Sequence, residues 1–420
     1  MDRRARHAKQ IVVLGGGFAG LWSAVGAARK LDELPRNRTG PVRVTLVDRS
    51  AFHHIRVRNY EADLTPARLP LDDVLRPVGV ARVQGEAVAV DTAAQVVRVR
   101  GDDGPQHIPY DGLVLALGSE LVRPAVPGLA QFAFDIDTYD GAARLHAHLA
   151  SLPGKPAGTG RYTVVVVGAG LTGIEAATEM PARLAPIIEQ SGGKGAPRVI
   201  LADHNPRIGS DMGDSARPVI EAALRELGVE TLPGVEIAAV SPRGVELASG
   251  ELIPAATVVW CAGMRANSLT LRLPVERDRL GRIPVDEYLR VEGVADVFAA
   301  GDVARAMVDQ DRPSVMSCQH ARPMGRIAGH NVVSSMFGAP MIPLRIGWYV
   351  TVLDLGAAGA VYTEGWDRRV VATGAAAKET KQAINCARIY PPRTGDRAAI
   401  LAAAAPLIQQ PPETDVDPQL

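Results

Sequence analysis

Aromatic side chains make up only 4% of the 420 residues. That scarcity argues against a broad aromatic patch at a membrane interface. Cysteine is rarer still: Cys261, Cys318 and Cys386 are scattered, and none stands in a C-x-x-C or C-x-x-x-x-C spacing. Neither a redox dithiol nor a metal cage is therefore encoded locally, so no metal is expected, and a reducing, cytoplasmic setting fits. A charge excess is also missing, since 46 cationic residues face 46 acidic ones, which argues against nucleic acid as a partner. The cations are mostly arginine and alanine is abundant, a composition that fits a GC-rich bacterial genome. Long apolar runs are absent too. The run behind the basic stretch Met1 to Lys9 is broken by Gly15-Gly16-Gly17, and nothing elsewhere reaches the ~20 residues a spanning helix needs.

What the chain does have is a repeat. Ile11-Val12-Val13-Leu14 runs into Gly15-Gly16-Gly17-Phe18-Ala19-Gly20, and Val164-Val165-Val166-Val167 runs into Gly168-Ala169-Gly170-Leu171-Thr172-Gly173. Each is a β-forming run, a G-x-G-x-x-G turn and an Ala-rich helical stretch. The first glycine permits the tight turn, the second lets backbone approach a pyrophosphate, and the third lets helix pack on strand. One match is weak evidence, whereas two on one chain imply two nucleotides held near each other. Passing electrons between them is the natural use of such an arrangement.

The repeat extends well beyond the glycines. The strand Val42 to Asp48 ends in an acid 28 residues after Gly20, somewhat beyond the usual ~20, because a polar break from Asp32 to Pro41 lengthens the connection. The strand Arg198 to Asp203 ends the same way. An acid there can take the hydroxyls of an adenosine ribose, or can simply cap a turn. Tyr110 to Ser119 and Ala256 to Gly263 are matching buried strands that end in glycine. Residues 80–110 alternate with period two and predict a small antiparallel excursion. Ser151 to Gly160 reads as a linker. After a small-residue helix from Pro313 to Phe337, strand-like pieces at Trp348 to Leu355 and Arg369 to Thr373 precede a helix from Ala375 to Ile389 and a loose Pro-rich tail. The expected fold is α/β: two Rossmann-like dinucleotide-binding domains, three-layered with small antiparallel excursions, plus a small C-terminal α+β region. The first domain would take residues 1–155 and 281–340, the second 156–280, and the C-terminal region 341–420, a candidate for acceptor, dimer or membrane contact.

With the two turns, their two closing strands and Phe298-Ala299-Ala300-Gly301-Asp302, the chain resembles the two-dinucleotide-domain flavoprotein reductases over residues 10–340. Within them it is similar to the type II NADH dehydrogenases. The similar stretches are Asp48-Arg49-Ser50-Ala51-Phe52-His53 with Tyr60-Glu61, Thr172-Gly173-Ile174-Glu175, Cys261-Ala262-Gly263-Met264, and Cys318-Gln319-His320-Ala321, half of an A-Q-x-A-x-Q quinone motif. The chain departs from that family where the motif's last Gln is Pro323 and where Pro391-Pro392 and an Ala-rich tail replace amphipathic C-terminal helices.

The resemblance implies FAD at Gly15, Gly17, Phe18, Ala19 and Gly20, with Asp48, Arg49, His53, Val88, Ala116 and Gly118 around it and Gly301 and Asp302 on the ribityl side. It implies a nicotinamide nucleotide at Gly168, Gly170, Thr172, Gly173, Asp203, Ala262 and Gly263, with Gln319, His320 and Ala321 near the flavin. Asp203 would repel a 2′-phosphate, so NADH is expected over NADPH, although His204 and Arg207 lie close by. Glu175 and Gln319 are the catalytic candidates. Glu175 either steers nicotinamide and protons or is an acid favoured at a helix N-terminus. Gln319 either meets the flavin or fixes a helix start. His53 and His320 read more readily as structural. Lys378 and Lys381 share a helix face and either neutralise a reduced quinone or face solvent, the latter being the simpler reading. Trp348 to Leu353 reads as core packing more readily than as an interfacial patch. The expected activity is NADH oxidation by way of FAD with reduction of a quinone-like molecule. Peripheral membrane contact and pairing of two copies are both left open. The rival readings are a reductase of a redox protein such as ferredoxin and a non-enzymatic NADH-binding redox sensor.

Overall fold

Ile11, Val12, Val13 and Leu14 are fully buried, and so are Val164, Val165 and Val166. Runs this apolar suit strands covered on both faces, as in a parallel sheet. The computed structural model describes residues 8–102, 104–156, 158, 160–192 and 197–408. The basic N-terminal stretch up to His7, Asp103 within the 80–110 stretch, two residues of the linker, residues 193–196 and the Pro-rich tail from residue 409 lie outside the described residues.

The first sheet is wholly parallel, in the order Val297–Ala299, Gly112–Leu115, Lys9–Leu14, Val42–Asp48 and Ala81–Gln84. The second is also parallel, in the order Val229–Pro233, Arg198–Asp203, Thr163–Val167 and Thr257–Trp260. The helices Phe18–Glu33 and Leu171–Gln190 follow the two central strands. Each central strand therefore ends at a glycine turn, with its acid-ending neighbour hydrogen-bonded alongside. The mixed α/β fold expected from the repeat is present.

Antiparallel excursions flank both sheets. One joins Glu86–Asp91, Val96–Gly101 and Gly104–Pro109, and the other Ile237–Ser241, Gly244–Leu247 and Leu252–Pro254. The first part of the 80–110 alternation is not part of its excursion. Ala81–Gln84 extends the parallel sheet beside Val42–Asp48 instead. A period-two pattern shows a half-buried strand but not its partner. The helix Tyr139–Ser151 packs Leu145 and Leu149 into the core of the second sheet.

The helix Cys318–Met336 returns to the first sheet and lies along Phe18–Glu33. A side chain at Gly325 would overlap the Ala19 carbonyl, and one at Gly329 the Ser23 carbonyl. This small-residue seam lets the two helix backbones touch, and both helix N-termini then open on the same side. The C-terminal sheet joins Val350–Asp354, Ala360–Glu364 and Arg369–Thr373 antiparallel. The helix Gly374–Ala383, continued by a π-helical turn over Ile384–Arg388, packs on it. No helix among the described residues is long and apolar enough to cross a membrane.

Candidate active site

Both glycine turns open into one cavity of about 2730 Å³ between the two parallel sheets and the C-terminal sheet. The turns divide their labour as their sequence suggests. Gly15 and Gly168 have φ of 104° and 103°. Side chains at Gly20 and Gly173 would overlap the carbonyl oxygens of Gly15 and Gly168, so these third glycines seat helix on strand beneath the cavity. Gly17 and Gly170 differ. Their φ values of −73° and −75° suit any residue, and a Cβ on either would meet no protein atom within 4 Å. Both line the cavity. The protein itself leaves open space at both positions, as a turn that receives a pyrophosphate would require. Neither helix that starts there has a side-chain cap, so the free N–H groups and the positive end of each dipole face the cavity.

The strand-end acids are held alike. Asp48 accepts from Gly16 N at 2.6 Å and Ser50 N at 2.7 Å, and Asp203 accepts from Ala169 N and from Asn205 N at 2.7 Å. One protein hydrogen bond per carboxylate oxygen leaves lone pairs for ribose hydroxyls. His204 lies 3.5 Å from Asp203, and both His204 and Arg207 are exposed.

Of the other sequence candidates, Phe18, Ala19, Arg49, Val88, Ala116, Gly118, Thr172, Glu175, Ala262, Gly263, Gly301, Asp302, Gln319 and Ala321 all line the cavity. His53 and His320 do not. His53 is fully buried and donates from Nδ1 to the Gly16 carbonyl at 2.8 Å, supporting the turn from behind. His320, also fully buried, accepts from Val315 N at 3.0 Å. Burial lowers both pKa values to about 4, so both are neutral. They shape the cavity without facing it.

Asp302 accepts from Ser119 Oγ at 2.6 Å, with Arg56 at 4.0 Å. Burial pushes its carboxyl upward against that hydrogen bond and the Arg56 charge. Arg56 also binds Asp137 and donates to Ser119 Oγ at 2.9 Å. It gathers both cavity walls around Asp302. Sequence reading passed over it, because an arginine between two short segments carries no periodic signal.

Glu175 sits fifth in its helix, past the first turn, and is 6% exposed. Its partner is not the helix N-terminus but Lys381, whose Nζ lies 2.7 Å away. Lys381 also donates to the Val352 carbonyl at 2.9 Å, and Asp354 N donates to Glu175 at 3.1 Å. Burial pushes the Glu175 carboxyl above the usual carboxylate range against the pull of Lys381. Burial disfavours the Lys381 ammonium, but the Glu175 charge and hydrogen bond outweigh this and hold its pKa above the usual lysine value. Lys378 binds Asp354, which accepts from Tyr60 OH at 3.1 Å. The solvent-facing reading of the two lysines is thus corrected: their shared face points inward, where buried carboxylates compensate them. The i,i+3 lysine pair in a lysine-poor chain was the available signal, but no local pattern could supply its partners.

Gln319 is the second residue of its helix, whose start is capped by Ser317 through His320 N. Its amide instead donates to the Trp348 carbonyl at 3.2 Å, tying the helix to the C-terminal segment. Trp348 and Val350 line the cavity while Leu353 is core, so that stretch serves both purposes. Cys261, Cys318 and Cys386 are all free, and burial raises the Cys261 and Cys318 thiols.

Residues 9–325 match the family described as pyridine nucleotide-disulphide oxidoreductase. The chain belongs to that family. Within these oxidoreductases it is 61% identical over 403 residues, 96% of the chain, to the full length of an NADH dehydrogenase-like protein of Mycobacterium tuberculosis. It is 27% identical over 364 residues to a demethylphylloquinone reductase of Synechocystis, covering 84% of the chain and 86% of that protein. The solved NDH2 of Plasmodium falciparum superposes with a TM-score of 0.74 at 12% identity, covering 95% of this chain and 98% of that one. At that identity the likeness speaks for the fold. This oxidoreductase has no disulfide among its described residues, despite the family's description.

Proposed function

We propose that the protein is an FAD-dependent NADH dehydrogenase that passes two electrons to a quinone-like acceptor. FAD belongs at the Gly15–Gly17 turn, with Asp48 toward its ribose and Asp302 toward its ribityl chain. NADH belongs at the Gly168–Gly170 turn, with Asp203 on its ribose. The observation that carries this reading is the pair of side-chain-free turns, Gly17 and Gly170, open to one cavity. The NADH dehydrogenase-like and quinone reductase relatives support the choice of donor and acceptor.

Bound there, FAD supplies the two-electron relay between donor and acceptor. The protein's share is orientation and proton supply. Oxidising NADH releases two electrons and one proton, whereas reducing a quinone takes up two of each, so a second proton must come from outside. Glu175 and Lys381, buried and hydrogen-bonded on the cavity wall, form the group suited to hold and deliver it. Gln319 and Trp348 define the acceptor side. Peripheral contact with a membrane belongs to the same proposal, and exposed Leu407 and Ile408 supply an apolar point for it.

Stopped-flow absorbance tests the proposal. NADH should bleach a visible flavin band of the purified protein, and a quinone should restore it faster than oxygen does. Reoxidation by ferredoxin alone, or purified protein that stays colourless after reconstitution with FAD, would overturn it.

A further inference from the structure

Two arginines on the Cys318–Met336 helix have no counter-charge among the described residues. Arg322 and Arg326 are each 8% exposed, neither forms an ion pair among the described residues, and the Nε of each is buried without a hydrogen-bond partner. Both guanidinium groups lie on the ring of Trp22 instead, at 5.8 and 4.5 Å from its centroid. A cation on an indole face recovers part of the lost hydration but none of the charge compensation. Other buried cations have partners: Lys381 pairs with Glu175, Arg282 with Asp278 and Arg58 with Glu61, and Arg183 donates to the Tyr60 carbonyl at 3.3 Å. Burial lowers the pKa of Arg322, and that of Arg326 to about 10 with Arg322 adding to the effect.

Arg322 lines the cavity one helical turn from Gln319. The same corner holds Arg388, whose guanidinium lies 5.9 Å from the Trp348 ring centroid. Phe18, Ile384 and Ile389 pack together as its apolar wall. The acceptor end of the cavity is thus a slot for a flat apolar ring with the Arg322 guanidinium at its edge. A neutral, lipid-like quinone offers that cation only carbonyl oxygens in its oxidised form, whereas a ring with a fixed anion compensates its charge on binding. We propose that the physiological acceptor is a quinone-like ring bearing a fixed negative charge, of the carboxylate class, which Arg322 holds by a charge-assisted hydrogen bond. The inference rests on the quinone-reductase reading and narrows its substrate class.

The test compares two probes on the FAD-loaded enzyme with NADH as donor: 1,4-naphthoquinone and 1,4-naphthoquinone-2-sulfonate. The anionic probe should show at least about tenfold higher kcat/KM, and its advantage should shrink as salt rises. Arg322→Gln should raise KM about tenfold for the sulfonate and less than about twofold for the neutral ring, while Arg322→Lys should restore most of the difference. Equal kcat/KM for both probes, or equal losses in Arg322→Gln, would overturn the inference and leave the proposed function standing. A loss confined to kcat with the neutral ring would place the charge on the reduced product and also overturn it. Loss of FAD by Arg322→Gln would assign the cation to the cofactor and would equally overturn it. Binding of 2-naphthalenesulfonate, which cannot be reduced, is read by tryptophan fluorescence. If neither quinone turns over but this probe binds and Arg322→Gln weakens it about tenfold, the anion site stands and the quinone-reductase reading falls.

Discussion

At the scale of single residues, the buried Glu175–Lys381 pair decides most. Removing one partner of such a pair strands a charge, at a cost of about 3–5 kcal/mol, while removing both is much cheaper. Lys381→Met should therefore lower the unfolding midpoint clearly, and adding Glu175→Gln should recover much of the loss. Additive losses would show that the two do not act as a pair. If the pair also supplies a proton, Glu175→Gln should slow reoxidation of the reduced flavin by quinone roughly 100-fold and leave its reduction by NADH nearly unchanged. Unchanged reoxidation would remove Glu175 from the chemistry. Asp203 carries a separate prediction. Its carboxylate is fixed by Ala169 N and Asn205 N facing the cavity, so Asp203→Ala should erode the preference for NADH. NADPH already serving as the better donor in the unaltered protein would refute the ribose assignment.

At the scale of elements, the two strand–turn–helix units separate folding from binding within a single motif. Gly20→Ala forces a methyl group into the Gly15 carbonyl and should yield unstable or insoluble protein. Gly17→Ala points its methyl into open space at a φ of −73°, so the cofactor-free protein should unfold within about 1 kcal/mol of the unaltered one. Its FAD content after purification should nevertheless fall sharply. Full FAD retention by Gly17→Ala would mean that the pyrophosphate does not rest on this turn. The helix pair built on Gly325 and Gly329 is the other element-level device. It brings Asp302, Gln319 and the first turn to one rim, because backbone contact leaves no room for drift between the two helices.

For the whole molecule, burial of neutral histidines sets an acid limit. His53, His320 and His330 are each at most 5% exposed, and burial lowers each pKa from 6.5 to about 4. Their folded-state values lie below the unfolded one, so the unfolded chain binds more protons between these limits. The stabilisation is complete above pH of about 6.5 and is lost as pH falls toward 4. The thermal midpoint should drop through that window, with His320→Gln flattening the decline. A midpoint independent of pH from 7 to 4.5 would contradict the burial of these rings.

By itself the sequence determined what is local or repeated: two parallel sheets, each with its glycine turn and strand-end acid. The steric demands of a G-x-G-x-x-G turn and the period of a buried strand act over a few residues and are written there. That Gln319 lines the same cavity as Gly301 and Asp302 was suggested by the family resemblance and by no local pattern. Only the tertiary structure decided that Lys381 meets Glu175 across 206 positions of chain, that Arg56 clasps Asp302, and that Arg322 lies at the cavity edge without an ion pair among the described residues. A helical lysine at a given spacing looks the same whether it faces water or a buried acid. Which it meets is set by packing between distant segments, where the loss of hydration makes a charge either costly or useful.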